Sequence, residues 1–228
     1  MSKNKNPLEF QLDFTTENPQ LCKDIFQTGE SFDVTLTITA QKQFNHRGID
    51  FEFATELQPK VGKVVKFQQV LRHLADNGSI TKSQTFNIPK LTIEENCQTY
   101  TGESFTLRHW IRVSVKKLIG SVDYERELVS YQVAQPLKKP EPMCVRVAVQ
   151  DSIRIDLLIA RRQVEIGDVI TGAAHFLLVN LKVKTFTVTL LAQEYMEYNG
   201  KTQRFKNRIH TWEITDGAPV KSEIIPFR

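Results

Sequence analysis

The sequence is poor in cysteine, has no long apolar run and begins without an apolar leader. Its three cysteines, Cys22, Cys97 and Cys144, stand far apart with no CxxC pair, which argues against a disulfide framework or a zinc site and favours reduced thiols in the cytosol. The longest apolar stretch, residues 176–179, is far short of the ~20 residues that a membrane-spanning helix needs. The polar residues 1–7 predict no secretory signal. These absences argue against a helical membrane protein and a secreted disulfide-rich domain.

The excess of one charge over the other is also small. The 228-residue chain has a formal net charge of +4, with 40% apolar and 25% charged residues, which is typical of a globular protein. Residues 1–137 carry 16 basic and 16 acidic side chains, and residues 138–228 carry 14 and 10, so the excess lies in the second part. It is far weaker than the dense basic stripe of a nucleic-acid-binding protein, so no nucleic-acid partner is expected. Solvated lysines explain most of it, and a weakly attractive face for acidic lipid or protein partners is the second interpretation.

Motifs for catalysis are absent as well. The sequence has no GxSxG elbow and no HExxH pair, and its five histidines stand singly. His109 shares a strand face with apolar residues, which favours a hydrogen-bonded core histidine over a catalytic one. The acid pairs Asp50/Glu52 and Asp123/Glu125 have the composition of glycosidase carboxylates, but solvated strand faces explain them more simply. We therefore expect no enzyme, no catalytic residue, no metal and no cofactor.

What the sequence does contain is a strong period of two. Successive strand side chains point to opposite faces of a sheet, so alternating apolar and polar residues predict strands with one buried face. The alternating segments are residues 32–39, 49–53, 145–147, 153–157 and 186–190. Antiparallel sheets with one wet face stack into sandwiches, so the predicted fold class is all-β. The one helical spacing, Val64-Phe67-Leu71-Leu74, fits a short helix and an irregular strand equally well.

A domain boundary is visible at residues 134–142. This segment holds three prolines and two lysines, and because proline removes donors that a central strand requires, it predicts an extended linker. Similar glycine-acid turns open a strand in each half, at residues 28–32 and 166–172, which indicates a weak internal duplication. We therefore predict two tandem β-sandwich domains, residues 1–137 and residues 138–228.

Binding residues are better placed than catalytic ones. Trp110 lies on the polar face of its strand between Arg108 and Arg112, where it is either an exposed contact aromatic or a ring sandwiched by arginine stems. Five further basic residues are candidates for contact with acidic surfaces: Arg161, Arg162, Arg204, Lys206 and Arg208. The last three alternate on one strand face, which a solvent-facing edge strand also explains.

Four groups of residues, in a fixed order, resemble one known family. They are NHRGI at 45–49, YTG at 100–102 with LR at 107–108, IGDVITG at 166–172 leading into FLLV at 176–179, and DGAPV at 216–220 followed by IPFR at 225–228. Together they closely resemble the arrestin-like small subunit of retromer, the vacuolar protein sorting 26 family, from about Gly29 to the last residue. The DGAPV segment with its IPxR ending is the most specific. The resemblance implies two tandem arrestin-like β-sandwiches of antiparallel strands, in agreement with the predicted boundary.

The resemblance implies a non-enzymatic coat or adaptor subunit for endosomal cargo sorting and retrograde transport, cytoplasmic and held on endosomal membranes through its complex. It implies that the C-terminal sandwich binds the α-solenoid subunit of retromer. Carried over by position, the contact residues are Ile214 and Thr215, with Arg228 as a third. Thr215 stands where the family usually has an apolar, methionine-like residue, which would remove roughly 1–2 kcal/mol of buried contact.

The resemblance also implies a site near the linker for a sorting nexin and the tails of transmembrane cargo. There a ligand strand is added beside the first strand after the linker, which carries Val145, Val147 and Val149, with Val147 at the apolar-pocket position. This is β-augmentation, in which backbone hydrogen bonds supply affinity and the pocket selects one aromatic or aliphatic side chain. An equal alternative is that Val147 is plain core. Asn180, where the family has a basic residue, and Ser152, where it has cysteine, indicate a divergent member.

The family continues beyond the IPxR segment, so the second sandwich is expected to be incomplete, with about six strands after the linker. Missing strands expose edges and apolar surface, which indicates either a truncated product or a partner strand, with a strand-exchanged homodimer as the sharper hypothesis. The alternative functions are another arrestin-clan trafficking adaptor, either a retriever-like subunit or an α-arrestin, and a carbohydrate-binding β-sandwich. The sequence has no PPxY motif of the kind that α-arrestins use.

Overall fold

The computed structural model describes residues 6–16, 24–133, 141–198, 201–215 and 217–228, and within these ranges it holds seventeen strands and no helix. All strand pairs but one are antiparallel, the exception being a short parallel pair in the first part of the chain. The predicted all-β class is therefore confirmed. The chain divides into two units, Met1–Val133 and Ala134–Arg228. Most of the predicted linker 134–142 lies outside the described residues, and the domain limits 1–137 and 138–228 stay a prediction.

The first unit, Met1–Val133, has eleven strands in its described residues, 6–16 and 24–133. They are β1 (Leu8–Thr16), β2 (Ile25–Gln27), β3 (Ser31–Ala40), β4 (Phe44–His46), β5 (Gly48–Pro59), β6 (Val65–Ala75), β7 (Gly78–Ile80), β8 (Ser83–Thr92), β9 (Tyr100–Thr101), β10 (Phe105–Lys116) and β11 (Ser121–Tyr131). One sheet has the order β1-β3-β8 and the other β2-β11-β10-β5-β6, with β9 paired to β10 and β4 to β7.

The core of the first unit lies between these two sheets because each contributes one apolar face. In β3 the residues Phe32, Val34, Leu36 and Ile38 are buried while those between them are at least partly exposed, as the alternating pattern predicts. The opposing sheet supplies buried side chains from β5, β10 and β11, and the whole cluster is continuous. Two apolar faces packed in this way form a β-sandwich.

The segment with helical apolar spacing is a strand, β6, and the irregular-strand interpretation is the one that holds. Its pairing with β5 shifts register twice, between Ile49 and Asp50 and between Thr55 and Glu56. Each shift inserts one extra residue into β6 relative to β5, namely Leu74 and Phe67. Two inserted residues change the alternation of a strand from the regular period of two, which is how a β-bulge imitates helical spacing.

The described part of the second unit contains six strands, and the sequence predicts about six after the linker. They are β12 (Met143–Val149), β13 (Ile153–Ile159), β14 (Gly172–Val179), β15 (Thr187–Tyr198), β16 (Lys201–Glu213) and β17 (Glu223–Phe227). Four form a sheet in the order β12-β13-β14-β17, and β15 pairs with β16 as a separate ribbon. The described core is small, with buried Ile155, Ala174 and Phe176 flanked by partly buried neighbours. Many large apolar side chains of this unit are exposed.

Candidate functional site

The first candidate surface is the edge of the four-stranded sheet in the second unit. Among the described residues, β12 pairs only with β13 and therefore ends the sheet. An edge strand presents unpaired N–H and C=O groups to which another strand can bond. Every residue of β12 after Met143 is exposed. The geometry of β12 is therefore that of an acceptor strand for an extended ligand.

The valine row of β12 continues the inner face of this sheet. Val145, Val147 and Val149 stand opposite Leu157, Ile155 and Ile153 of β13, so their side chains share the face that carries the core. Ile155 is buried, but Val147, one strand further out, is 48% exposed. Ile155 is therefore a core residue, whereas Val147 is a half-exposed apolar side chain at the edge of the sheet.

The segment Ile214–Thr215 is held against Phe186. The backbone N–H of Ile214 donates to the carbonyl of Phe186 at 2.8 Å, and the N–H of Phe186 donates to Thr215 Oγ1 at 3.2 Å. The Phe186 ring in turn packs edge-on against Phe176 at 5.4 Å. Thr215 is buried and its hydroxyl is used within the unit, whereas Ile214 is half-buried. Of the pair, Ile214 offers the larger surface to a partner.

The remaining sequence-predicted binding residues lie apart from this segment. Arg228 is exposed and follows β17 at the other end of the four-stranded sheet from β12. Arg161 is paired with Asp168 at 3.1 Å inside the loop between β13 and β14, and Arg162 is exposed beside it. On β16 the exposed residues Arg204, Lys206 and Arg208 stand opposite Tyr195, Gln193 and Leu191.

In the first unit, Trp110 is a caged ring and not a contact aromatic. It is buried, with the guanidinium of Arg112 4.5 Å and the ammonium of Lys66 4.9 Å from its ring centre. Its indole N–H donates to the buried carboxylate of Glu56 at 3.1 Å. Burial alone would raise the pKa of Glu56, but hydrogen bonds from Gln58 and Trp110 and the charge of Arg108 lower it, so the carboxylate stays ionised. Of the two interpretations of Trp110, the ring covered by cationic stems is correct.

His109 is a structural histidine, as predicted. It is fully buried, with Nδ1 2.8 Å from the hydroxyl of Thr55 and Nε2 2.8 Å from both the Cys97 carbonyl and the Ser130 hydroxyl. Burial lowers its pKa, against the opposing hydrogen bond to Cys97, so the imidazole is neutral. Because a carbonyl can only accept, Nε2 carries the proton and Nδ1 accepts from Thr55. A fully buried ring whose two nitrogens are bonded to three protein groups has no access to a substrate.

Three of the four acids in the two acid pairs on the outer face of the six-stranded sheet form ion pairs, while Asp123 accepts a hydrogen bond from the Ser121 hydroxyl. They line a shallow groove of about 740 Å³ together with residues of β10. Asp50 binds Lys116 and His73, Glu52 binds Lys66 at 2.5 Å, and Glu125 binds Arg112 at 2.6 Å. The hydrogen bond from Lys116 lowers the pKa of Asp50, against the effect of burial. The general acid of a glycosidase requires the opposite shift, so Asp50 is not suited to that role.

Metal-ligand clusters and membrane-spanning helices are absent from residues 6–16, 24–133, 141–198, 201–215 and 217–228, the ranges that the structure describes. No group of three or more His, Cys, Asp or Glu side chains in them could hold a metal ion. No helix among them is long and apolar enough to cross a membrane. Cys97 and Cys144 are free thiols, and burial raises the pKa of Cys97, with a smaller contribution from Glu94.

Comparison with known sequences assigns the family. The family model described as vacuolar protein sorting-associated protein 26 matches residues 3–228. The chain belongs to this family. The resemblance in four sequence segments is therefore confirmed, and the sandwich of the first unit and the sheet edge of the second are features of a member of the vacuolar protein sorting-associated protein 26 family.

The curated relatives are longer than this chain. Vacuolar protein sorting-associated protein 26B of Homo sapiens is 27% identical over 209 residues, which cover 90% of this chain and 62% of that protein. The 26B-B protein of Xenopus laevis has the same identity and coverage. Vacuolar protein sorting-associated protein 26 of Caenorhabditis elegans is 28% identical over 90% of this chain and 59% of its own length. The chain thus spans about three fifths of the length of these relatives.

Sequence reasoning missed residues whose environment is built by other strands. Glu56 has no motif of its own, yet it is the buried acceptor of Trp110. Leu118 and Ile119 lie in the hairpin between β10 and β11 with 78% and 85% of their surfaces exposed. The signal for the hairpin was present, because a glycine follows two apolar residues between two alternating segments.

Proposed function

We propose that this chain is the arrestin-like small subunit of a retromer-type coat, a non-enzymatic adaptor for endosomal cargo sorting and retrograde transport. The observation that carries the proposal is the family match over residues 3–228. The name of the family and of its relatives places those proteins in vacuolar protein sorting. The architecture supports an adaptor role because it offers open strand edges and exposed apolar rows. A retromer subunit of this kind acts at the surface of endosomal membranes, held there through its complex.

The cargo and sorting-nexin site is proposed at the β12 edge. An extended tail would add as a strand beside β12 and place one aromatic or aliphatic side chain over the half-exposed Val147. The backbone supplies affinity for any extended segment, whereas Val147 supplies selectivity.

A matched pair of variants separates the two faces of β12. Val147→Asp puts a charge on the apolar face and should weaken binding of an extended cargo peptide by about tenfold or more, measured by fluorescence polarisation. Ala148→Asp changes the neighbouring exposed residue, whose side chain lies on the opposite face, and should change affinity by less than about threefold. Equal effects of the two variants, or none from either, would contradict the proposed pocket.

The α-solenoid subunit of retromer is the proposed partner of Ile214 and Thr215, with Arg228 as a third contact. Ile214 is the half-exposed apolar member, so Ile214→Asp should reduce capture of the solenoid subunit by at least about tenfold. The control is Ile166→Asp in the loop between β13 and β14, where the side chain is fully exposed and makes no core contact. Undiminished capture by Ile214→Asp in a chain of unchanged thermal stability would refute this surface.

A homodimer formed by strand exchange remains a separate prediction for the second unit. The small described core and the many exposed apolar side chains of that unit support it. Sedimentation velocity should show a dimer whose population increases with concentration, and a well-folded, monodisperse monomer would refute it.

A further inference from the structure

One end of the first unit carries two large apolar side chains where turn residues are normally polar. Lys117 N donates to the carbonyl of Gly120 at 2.9 Å, which closes the β10–β11 hairpin around Leu118 and Ile119. Gly120 has φ of +75°, the left-handed conformation that ends such a loop. Turns favour Gly, Pro, Asn, Asp and Ser, whereas this tip exposes 78% of Leu118 and 85% of Ile119. Nothing in the fold of the first unit needs these two side chains.

Three further loops lie at this end, one bonded to the hairpin strand and the other two bonded to each other. Arg47 N donates to the carbonyl of Lys116 at 2.8 Å, next to the hairpin. Ala40 N donates to the carbonyl of Lys82 at 2.8 Å, and β4, which follows, pairs with β7, which precedes Lys82. The loops 41–43, 81–82 and 47 therefore lie at the same end as the hairpin. We call this the basic end and define it by Lys42, Arg47, Lys82, Lys116, Lys117, Leu118 and Ile119.

The basic end has more cations than acids. All five of its basic residues are exposed, and only Lys116 is used in an ion pair, with Asp50. Lys42, Arg47, Lys82 and Lys117 make no ion pair with any residue of the described ranges. The nearby Asp50 and Asp76 share His73. Glu9, which accepts a hydrogen bond from Gln41, and the exposed Asp123 also lie at this end, so five cations and four acids surround the apolar tip and leave a small positive excess.

The opposite end of the same sandwich differs in charge. There the turn between β5 and β6 also exposes apolar residues, with Val61 at 92%, and it carries Lys60 and Lys63. Lys60 N bonds to the carbonyl of Ser104, which brings Glu103 to the same end. Glu94 and Glu95, at the end of β8, are exposed there too. At this end the three acids outnumber the two lysines, whereas the basic end has five cations and four acids, so this end serves as an internal control.

We propose that the basic end binds directly to an anionic lipid bilayer, with Leu118 and Ile119 entering the interface and Lys42, Arg47, Lys82 and Lys117 contacting the headgroups. Charge complementarity selects an anionic surface, because each basic residue near such a surface strengthens binding by about fivefold. The apolar tip favours a bilayer over a polyanion in solution, because Leu118 and Ile119 contribute binding free energy only where they can be buried in hydrocarbon. The contact is made by the chain itself and needs neither the solenoid subunit nor cargo.

The test is co-sedimentation of the whole chain with vesicles of phosphatidylcholine alone and of phosphatidylcholine with about 30% phosphatidylserine, at roughly 0.1 M salt. The unaltered chain should sediment with the anionic vesicles and not with the neutral ones. Leu118→Ser/Ile119→Ser should lower the partition coefficient by roughly ten- to thirtyfold, from half-burial of two side chains. Lys42→Gln/Lys82→Gln/Lys117→Gln should lower it by about a hundredfold. All changed side chains are exposed, so thermal unfolding should not shift.

The matched control, Lys60→Gln/Val61→Ser/Lys63→Gln at the opposite end, should leave the partition coefficient within about twofold, because the changes lie far from the proposed contact. Equal sedimentation with neutral vesicles, no sedimentation with anionic ones, or an equal loss in the control and the hairpin variant would each overturn the proposal. Loss in the lysine variant with no loss in the hairpin variant would also overturn it, because the surface would then be a simple polyanion site.

Discussion

His109→Leu is the change that tests the buried polar network of the first unit most directly. The imidazole is fully buried and links three elements, with Thr55 on β5, the Cys97 carbonyl in the segment between β8 and β9, and Ser130 on β11. Leucine has a similar volume and no polar atom. The substitution therefore removes the hydrogen bonds of the ring without opening a large cavity.

The expected cost follows from counting what is left unpaired. The Nε2–H···O=C bond and the Thr55 hydroxyl bond to Nδ1 are lost, at about 1 kcal/mol each. Ser130 Oγ and the Cys97 carbonyl still bond to each other at 2.9 Å, so neither is stranded. The Thr55 hydroxyl retains only a long contact of 3.4 Å to Gln68 and adds about 1–2 kcal/mol of desolvation. We expect about 3–4 kcal/mol of lost unfolding free energy at pH 8.

This difference should shrink on acidification. The pKa of His109 is lowered in the folded state by burial, so the unfolded chain binds a proton first as the pH falls below about 6.5, and unaltered protein loses stability there. His109→Leu has no such loss. By pH 5.5 the difference between the two proteins should be smaller by as much as about 1.4 kcal/mol, provided that the folded-state pKa lies well below that pH.

Denaturant unfolding at several pH values measures both effects. The chain has two tryptophans, Trp110 in the first unit and the half-exposed Trp212 in the second, so both proteins are compared in a Trp212→Phe background in which fluorescence reports the first unit alone. The shared background cancels the titration of the other histidines. A difference that stays constant from pH 8 to pH 5.5, or grows, would refute the neutral, buried His109 described here.

Three further changes test other parts of the structure. Gly172→Ala places a Cβ 2.5 Å from a backbone oxygen of β13 and 2.5 Å from a ring atom of β17, so it should destabilise the second unit by about 3 kcal/mol, measured by hydrogen exchange of the β14 amides. Gly217→Ala, where the added Cβ meets open space, should leave stability unchanged. Equal effects of the two variants would contradict this packing. Glu56→Gln should cost about 1–3 kcal/mol and shift the emission of Trp110, whose N–H it binds; an unchanged spectrum and midpoint would be inconsistent with the cage. His73→Asn should lower the free energy of unfolding of the first unit more at pH 6 than at pH 8. Hydrogen bonds to Asp50 and Asp76 raise the pKa of His73, so the stabilisation from its charged form is lost as the pH rises through that pKa. A loss that does not depend on pH would contradict this role of His73.

The parts of the fold that could be predicted from sequence are those set by local alternation. The period of two in residues 32–39 and 153–157 predicts strands, and these residues lie in β3 and β13 with the expected inner face. His109 could be recognised as a core residue because its own strand places it among apolar neighbours. Neither inference needs to know which strand lies next to which.

The candidate surfaces could be predicted only in part. The row Val145, Val147 and Val149 is visible in the sequence, but its half exposure follows from the position of β12 at the end of its sheet. The segment Ile214–Thr215 is found by resemblance, while the use of the Thr215 hydroxyl by Phe186 depends on a loop 29 residues away in sequence. Such long-range pairings have no local signal.

The sequence by itself determined that this protein is built of β-strands, where most of them lie and to which family it belongs. Both signals, the alternation of apolar and polar residues and the family segments, depend only on residues that are close together in the chain. Only the tertiary structure decided the irregular pairing of β6, the burial of Trp110 beneath Arg112 and Lys66, and the meeting of four loops at the basic end. The physical reason is the same in each case. The free energy of a side chain depends on which strands neighbour its own, and that neighbourhood is set by hydrogen bonds between residues far apart in the chain.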